Sequence, residues 1–268
     1  MVNPLLFDAH CHLQDPSLAP ALEETLSEGT IGGWIVNATH PGDWKDVAEL
    51  AKRDNRITPA FGWHPWHITG ADIDWQRERL LQLLSHIPHS HVGEIGVDRW
   101  KSGLDEAVQV DVLAQQLAIA ADFNRPASIH CLKAWGLLEQ AWEKAETRPN
   151  RVLLHAFNGS IETARVWLKR GAYFSYSTYF LHDNKQATCD VFAELPLDRI
   201  LVETDAPAMA PPVSKCIHTL ESAEGEVLNH PLNLSAAYAS LAKVRKLSIE
   251  ALRDQVASNF RDFAEVSR

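Results

Sequence analysis

Short apolar runs recur along the chain, and each is followed by a stretch whose apolar residues return every three to four positions. Runs of this length without polar alternation predict strands covered on both faces. Eight stand out: Leu5–His10, Gly33–Asn37, Ile57–Phe61, His91–Gly96, Ala127–His130, Val152–His155, Ala172–Tyr176 and Ile200–Glu203. Between and after them the spacing predicts helices over Pro20–Glu28, Trp44–Arg53, Trp75–Leu84, Asp105–Phe123, Ala134–Glu146, Ile161–Arg170, Lys185–Leu195, Ser235–Lys246 and Ile249–Val266. Asp43 is the expected N-cap of the second. Several end where Gly29, Pro88, Pro126, Gly171 or Pro196 punctuates the chain. Alternating strand and helix implies a parallel sheet with right-handed crossovers. Eight such units imply an α/β fold closed into a (β/α)₈ TIM-type barrel.

The chain has 268 residues. That fits a single domain over 1–268, since barrels of roughly 200–250 residues fold as one unit. One stretch breaks the rhythm: the polar, proline-rich connection Ala206–Asn233. It leaves the last strand where chemistry is expected, and its length predicts a partial lid.

Charge and cysteines narrow the class. The formal net charge of −10 argues against a protein that grips nucleic acid by general electrostatics. It permits local phosphate binding at a metal site, where the ions dominate the charge. Cys11, Cys131, Cys189 and Cys216 are scattered without a CxxC pair, which predicts reduced thiols in a cytoplasmic protein. Cys11 and Cys131 each follow a candidate ligand histidine and point to the opposite strand face. Met1-Val2-Asn3-Pro4 has no basic residue and precedes only a short apolar run, so no secretory signal is expected. No apolar run approaches the roughly 18 residues of a membrane span.

The candidate chemistry lies at the C-terminal ends of the strands, where active sites of such barrels sit. His10 and His12 alternate onto one side of the first strand, with Asp8 a layer below. Glu94 is on the fourth, His130 on the fifth, His155 on the sixth, and Glu203 and Asp205 end the eighth. Taken singly, each has a bland reading as a satisfied core histidine or a turn cap. Taken together, the six groups His10, His12, Glu94, His130, His155 and Asp205, converging from five strands, predict a metal centre. The set exceeds a three-ligand zinc site and suits two divalent ions sharing Glu94. His10, His12 and Asp205 would hold one ion, and His130 and His155 the other. Asp205 is the candidate proton acceptor. Glu203 faces the same interior, placed to orient a ligand histidine.

The motifs Phe7-Asp8-Ala9-His10-Cys11-His12-Leu13, Gly62-Trp63-His64-Pro65, Gly93-Glu94-Ile95-Gly96-Val97-Asp98, Ile129-His130-Cys131, His155-Ala156-Phe157-Asn158-Gly159 and Leu201-Val202-Glu203-Thr204-Asp205-Ala206-Pro207 run in order along the chain. On them the sequence resembles the TatD family of metal-dependent hydrolases, relatives of the amidohydrolases, over essentially its whole length. The resemblance implies a TIM-type barrel, deoxyribonuclease chemistry, metal roles for His10, His12, Glu94, His130, His155 and Asp205, a phosphate contact for His64 and a catalytic part for Glu203. The chain departs from the family pattern where Leu132 replaces a common arginine, where Arg99 and Trp100 follow Asp98, and where Asn229-His230-Pro231 stands for Asn-Glu-Pro. Arg99 and Lys133 are the candidate compensating phosphate contacts.

The leading reading is therefore a metal-dependent phosphodiesterase acting on DNA or another phosphoester. The alternatives are a hydrolase of a small ester, lactone or amide, and a non-catalytic metal-binding scaffold. Zinc, manganese and magnesium all suit the donors. No obligate protein partner is implied. Trp63, Trp66 and Trp100 are candidates to stack bases, whereas Trp34, Trp135, Trp142 and Trp167 read as core packing.

Overall fold

A computed structural model of the chain describes residues 5–68 and 73–265. Met1–Pro4, the segment read above for a leader, and Val266, the expected end of the last helix, lie outside them. Among the described residues eight parallel strands stand side by side in sequence order: β1 (Leu6–Cys11), β2 (Ile31–Asn37), β3 (Ile57–Phe61), β4 (His91–Asp98), β5 (Ala127–Leu132), β6 (Val152–Leu154), β7 (Ala172–Ser177) and β8 (Ile200–Glu203). Each pairs with the next, as in Trp34 with Ile57 and Phe174 with Ile200. The strands are buried almost throughout, which is why they read as unbroken apolar runs.

Helices α1 (Ala19–Ser27), α2 (Trp44–Arg53), α3 (Ile73–His86), α4 (Glu106–Asp122), α5 (Trp135–Lys144), α6 (Ile161–Leu168), α7 (Gln186–Glu194), α8 (Leu234–Arg245) and α9 (Ile249–Ala264) surround the strands. Their apolar stripes pack against the outward strand residues in the main core, with Trp34, Trp142 and Trp167 buried there and Trp135 half-buried. Caps set several helix starts. The Asp105 carboxylate accepts the amides of Ala107 and Val108, and Ser248 accepts that of Ala251. Asp43 stands at the N-cap of α2 as expected, but its carboxylate does not cap. It accepts from Thr39 and the Gln14 amide instead, binding the β2–α2 loop to the chain after β1.

Inside the barrel the residues are layered. Asn37, Ser128, His155, Ser175 and Glu203 form a polar upper layer. Ile35, Leu153, Tyr173 and Leu201, two positions earlier on four of those strands, join Phe260 and Phe263 of α9 in a second apolar cluster. Among the described residues the ring closes between β8 and β1 without a ladder pair. Asp8 spans the seam instead, accepting the Thr204 amide at 3.1 Å and its hydroxyl at 2.6 Å. Above it, the Asp205 amide donates to His10 O and the His12 amide to Ala206 O, both at 2.9 Å. On the α8 side, the buried Tyr238 hydroxyl accepts the Phe7 amide at 2.9 Å and donates to the Phe7 carbonyl at 3.0 Å.

The connection 206–233 is ordered. It holds a two-stranded hairpin, β9 (Thr219–Glu221) with β10 (Val227–Asn229), and Asn229 Nδ2 ties it back to Thr204 O and Thr178 Oγ1 at 2.7 and 2.8 Å. Only its first residues, Pro207 to Met209, border the cleft above the barrel. The expected partial lid is thus confined to that short segment, because the rest is anchored beside α1 and α8. No helix among the described residues is long and apolar enough to cross a membrane.

Two outcomes follow for stability. Tyr238→Phe strips both partners from the buried Phe7 backbone and is expected to cost about 2–3 kcal/mol. Denaturant unfolding checks this, and an unchanged midpoint would reject it. At the opposite mouth, His91 packs edge-on against Phe263 and its Nε2 donates to the Ala264 carbonyl at 3.2 Å. Burial pushes the His91 pKa down to about 4. The unfolded chain therefore takes up a proton here below about pH 6.5 that the folded chain refuses, so this stability is lost as pH falls from 6.5 toward 4. His91→Gln, neutral throughout and able to keep the bond, is expected to remove roughly 3 kcal/mol of that decline. Unfolding of both proteins at pH 7 and 4.5 measures the difference.

Candidate metal centre

The strand ends deliver their side chains to one point. His10 lies near the end of β1 and His12 just past it. Glu94 is mid-way along β4, His130 two residues from the end of β5, His155 directly after β6 and Asp205 two residues after β8. Lys133, Ala156 and Asp205 each have positive φ (56°, 42° and 56°), so the chain turns sharply as it leaves β5, His155 and β8. Gly96 allows β4 and β5 to approach: its φ is +153° and a Cβ there would lie 2.1 Å from the His130 carbonyl oxygen.

Glu94 is buried at the centre, and its two oxygens face different groups. Oε2 is 3.4 Å from both His10 Nε2 and His12 Nε2, while Asp205 Oδ1 lies 3.6 and 3.2 Å from the same nitrogens. Oε1 is 2.9 Å from His155 Nε2 and 3.1 Å from His130 Nδ1, which are themselves 3.2 Å apart. Donors held at roughly 2.1 Å from a tetrahedral ion lie about 3.4 Å from one another. The first group has that spacing. His10 Nε2 is fully buried and has no hydrogen-bond partner among the described residues, although it points toward two carboxylates. A lone pair aimed into such a gap fits a cation.

The far ring nitrogens select the tautomers. His12 Nδ1 donates to the Asn37 carbonyl at 2.7 Å, so Nε2 is the nitrogen that faces Glu94 and Asp205 and offers a lone pair to an ion once its proton is displaced. His130 Nε2 donates to Asp98 Oδ2 at 2.9 Å, leaving Nδ1 free. His10 Nδ1 pairs with Ser128 Oγ at 2.8 Å, and His155 Nδ1 faces Glu203 Oε1 at 3.5 Å. Carboxylate or carbonyl partners behind ligand histidines are the usual means of fixing such rings. His64 has the opposite arrangement. Its Nδ1 accepts the Trp66 amide at 3.2 Å, so Nε2 carries the proton toward Glu94 Oε1 at 3.4 Å. It is spaced to join a ligand group with Glu94 and His130, but that tautomer suits a hydrogen-bond donor better than a ligand.

The electrostatics express the same crowding. Burial alone would raise the Glu94 pKa, but the surrounding imidazoles hold it well below the usual carboxylate range. Asp205 is depressed in the same way, with His12 its main hydrogen-bonding partner. Burial opposes protonation of His12, yet the Asp205 hydrogen bond and the Glu94 charge lift it to about 9. Burial holds His64 well below its ordinary value, so its ring stays neutral.

Not every sequence expectation meets the site. Arg99 turns away and forms an exposed ion pair with Glu106 at 2.7 Å, because the tight turn that Asp98 makes with the Trp100 and Lys101 amides carries it off the cleft. Lys133 does border the cleft. Trp63 is buried, its indole nitrogen donating to the His67 carbonyl, and offers no stacking face, whereas Trp66 and Trp100 line the cleft. His230 is buried away from the site with His218 and Glu24. That trio has metal-like spacing, but His230 Nδ1 accepts the Leu232 amide, leaving a proton on the nitrogen that faces Glu24. Asp98, Ser128 and the Asn37 carbonyl had no role assigned from sequence. Asp98 was within reach, since it sits four residues after Glu94 on the same strand face. All four cysteines are free.

Comparisons with known proteins show the family and the fold. The family model described as TatD related DNase matches residues 7–265. Human deoxyribonuclease TATDN3 is 28% identical over 95% of this chain and 92% of its own length. The uncharacterized metal-dependent hydrolase YabD of Bacillus subtilis is 28% identical over 77% of this chain and 82% of its own. The crystal structure of the TatD homolog YjjV from Escherichia coli superposes with a TM-score of 0.84 at 25% identity, covering 96% of this chain and 97% of that one. Eight strand–helix units, a polar layer at their C-terminal ends and a match across nearly the whole length lead to one conclusion: the chain belongs to the TatD-related DNase family, a family of metal-dependent hydrolases.

Proposed function

We propose that the protein is a two-metal phosphodiesterase that hydrolyses DNA. The observation that carries this reading is the Glu94 carboxylate, whose two oxygens face two separate donor groups. His10, His12 and Asp205 would hold one divalent ion and His130 and His155 the other, with Glu94 shared. When bound, such ions offset charge on a phosphate oxygen and lower the pKa of an adjacent water. The chain's own residues supply the rest. Asp205 lines the cleft, and the carboxylate oxygen it does not give to the ion would accept the proton of the attacking water. His64, neutral with its proton on Nε2, donates to a phosphate oxygen. Glu203 orients His155 and is itself held by the Ser175 hydroxyl. Asp98 orients His130. The naming of human TATDN3 as a deoxyribonuclease supports the substrate class. RNA is the nearest variant, since human TATDN2 is named a 3′-5′ RNA nuclease and is 30% identical over 86% of this chain, although that match covers only 33% of TATDN2.

A second reading, a hydrolase of a small ester, lactone or amide, draws on the net charge of −10 and on Arg99 facing away from the cleft. A substrate panel separates the two.

Metal-loaded protein is expected to bind about two divalent ions per chain and to degrade DNA. Chelation should abolish turnover, and adding zinc, manganese or magnesium should restore it. Asp205→Asn is expected to lower kcat by about 10²–10⁴-fold. Metal content by mass spectrometry and a digestion assay on one sample decide this. Metal with intact DNA but hydrolysed lactone or ester would select the second reading, and no metal under loading would reject both.

Apparent metal affinity should also depend on pH. Below about 9 the His12 ring holds a proton that an incoming ion must displace, so affinity is expected to rise between pH 6 and 9 and then level. Competition with a chromophoric chelator measures it, and a flat profile would contradict the assignment of His12.

A further inference from the structure

Asp205 holds a left-handed backbone, with φ at +56°, and from it the carboxylate Oδ1 lies 3.2 Å from His12 Nε2 and 3.6 Å from His10 Nε2. A residue other than glycine keeps that conformation only where its surroundings fix the peptides around it. The peptide before Asp205 is held at both ends. Its N–H, on Asp205, donates to the His10 carbonyl at 2.9 Å, and its carbonyl, on Thr204, accepts Asn229 Nδ2 at 2.7 Å.

Asn229 reaches this turn from outside the barrel. It ends β10 in the 206–233 connection, yet it is fully buried. Its polar atoms can be accounted for one by one. The two Nδ2 protons go to Thr204 O and, at 2.8 Å, to Thr178 Oγ1. The single Thr178 hydroxyl proton then goes to Met209 O at 3.0 Å, the nearer of its two acceptors, since Thr204 O is 3.2 Å away. Asn229 Oδ1 accepts Asn233 Nδ2 at 3.3 Å, which fixes the way the amide faces. The Asn229 backbone N–H donates to Pro207 O at 2.8 Å. One residue therefore grips the chain on both sides of Asp205. Among the described residues only the Thr178 hydroxyl also reaches Thr204 O, and its proton is engaged elsewhere.

We propose that Asn229 is a positioning residue for the metal centre: by holding the Thr204 and Pro207 carbonyls it keeps Asp205 in the left-handed turn that aims its carboxylate at His10 and His12. The inference rests on the two-ion reading and adds to it that one half of the centre is set from outside the barrel. His130 and His155 stand on β5 and after β6, whose backbone Asn229 does not touch, so the second donor group is indifferent to it.

The test is zinc binding to metal-free protein in competition with a chromophoric chelator. Wild type, Asn229→Ala, Asn229→Ser, Asp205→Gly and the double variant Asn229→Ala with Asp205→Gly are compared, each well below its melting temperature. Glycine accepts the left-handed turn without a clamp, so in the Asp205→Gly background Asn229 has no carboxylate left to aim. Asn229→Ala is expected to weaken one of the two zinc ions about tenfold and to leave the other within about twofold. Asn229→Ser, which keeps one donor, should fall between. The double variant should bind zinc no more weakly than Asp205→Gly alone. Arg245→Met gauges the effect of lost stability by itself. It strips the bonds to the Phe192, Ala193 and Leu195 carbonyls at the end of α7, and should lower the melting temperature while leaving both ions at wild-type affinity. Wild-type zinc affinity in Asn229→Ala, equal weakening of both ions, or single effects that multiply in the double variant would overturn the positioning role. Fewer than two zinc ions in wild type, or undiminished affinity in Asp205→Gly, would reject the two-ion reading and the inference with it.

Discussion

A carboxylate withdrawn from water has to be compensated, and Glu94 is compensated from both sides at once. It lies buried with two imidazole nitrogens near Oε2 and three near Oε1, and its charge is maintained by them against a large desolvation cost. No single strand can supply those neighbours. They come from the ends of β1 and β5 and from the segments after β3 and β6, so the arrangement exists only when the sheet has curved far enough to bring those ends around one axis. The barrel and the polar layer thus depend on each other: the strands position the donors, and the donors make a charge at the barrel axis tolerable. The partners behind the rings extend the same logic outward. Asp98, Asn37 and Ser128 each occupy a ring nitrogen that would otherwise leave the histidine free to rotate out of register, and Glu203 faces that of His155 at 3.5 Å.

Much of this was legible in the sequence because a strand buried on both faces leaves little choice of residue. All eight strands were visible as apolar runs, and their ends were misjudged by only a few residues. β2 begins at Ile31 and β4 runs to Asp98, beyond the glycines where apolar character fades. The candidate ligands were legible for the complementary reason. A histidine or carboxylate closing an apolar run is anomalous by itself, and the barrel rule says where all such anomalies must meet.

What sequence left hidden were contacts set by turns and tautomers. Arg99 stands beside the site in the chain, yet the turn held by Asp98 sends it to Glu106. Trp63 and Trp66 are three residues apart in the same loop, and only the second faces the cleft. The first is used to close the loop over α4, with Gln116 accepting its backbone amide. The separation of His64 from the ligand histidines depends on which ring nitrogen meets a backbone N–H, and no spacing encodes that. Likewise the polar 206–233 connection reads as a partial lid because it leaves the last strand beside the site. Two asparagine side chains hold most of it elsewhere: Asn233 Oδ1 accepts the Ile217 and His218 amides, and Asn229 Nδ2 donates to the Thr204 carbonyl and the Thr178 hydroxyl.

The Tyr238 hydroxyl serves the Phe7 backbone as a neighbouring strand would, presenting one acceptor and one donor to the same residue. During synthesis the first strand emerges more than two hundred residues before this partner exists. Its outer edge therefore waits through the appearance of the seven other barrel strands, and the segment that carries His10 and His12 becomes fully tied only once α8 exists.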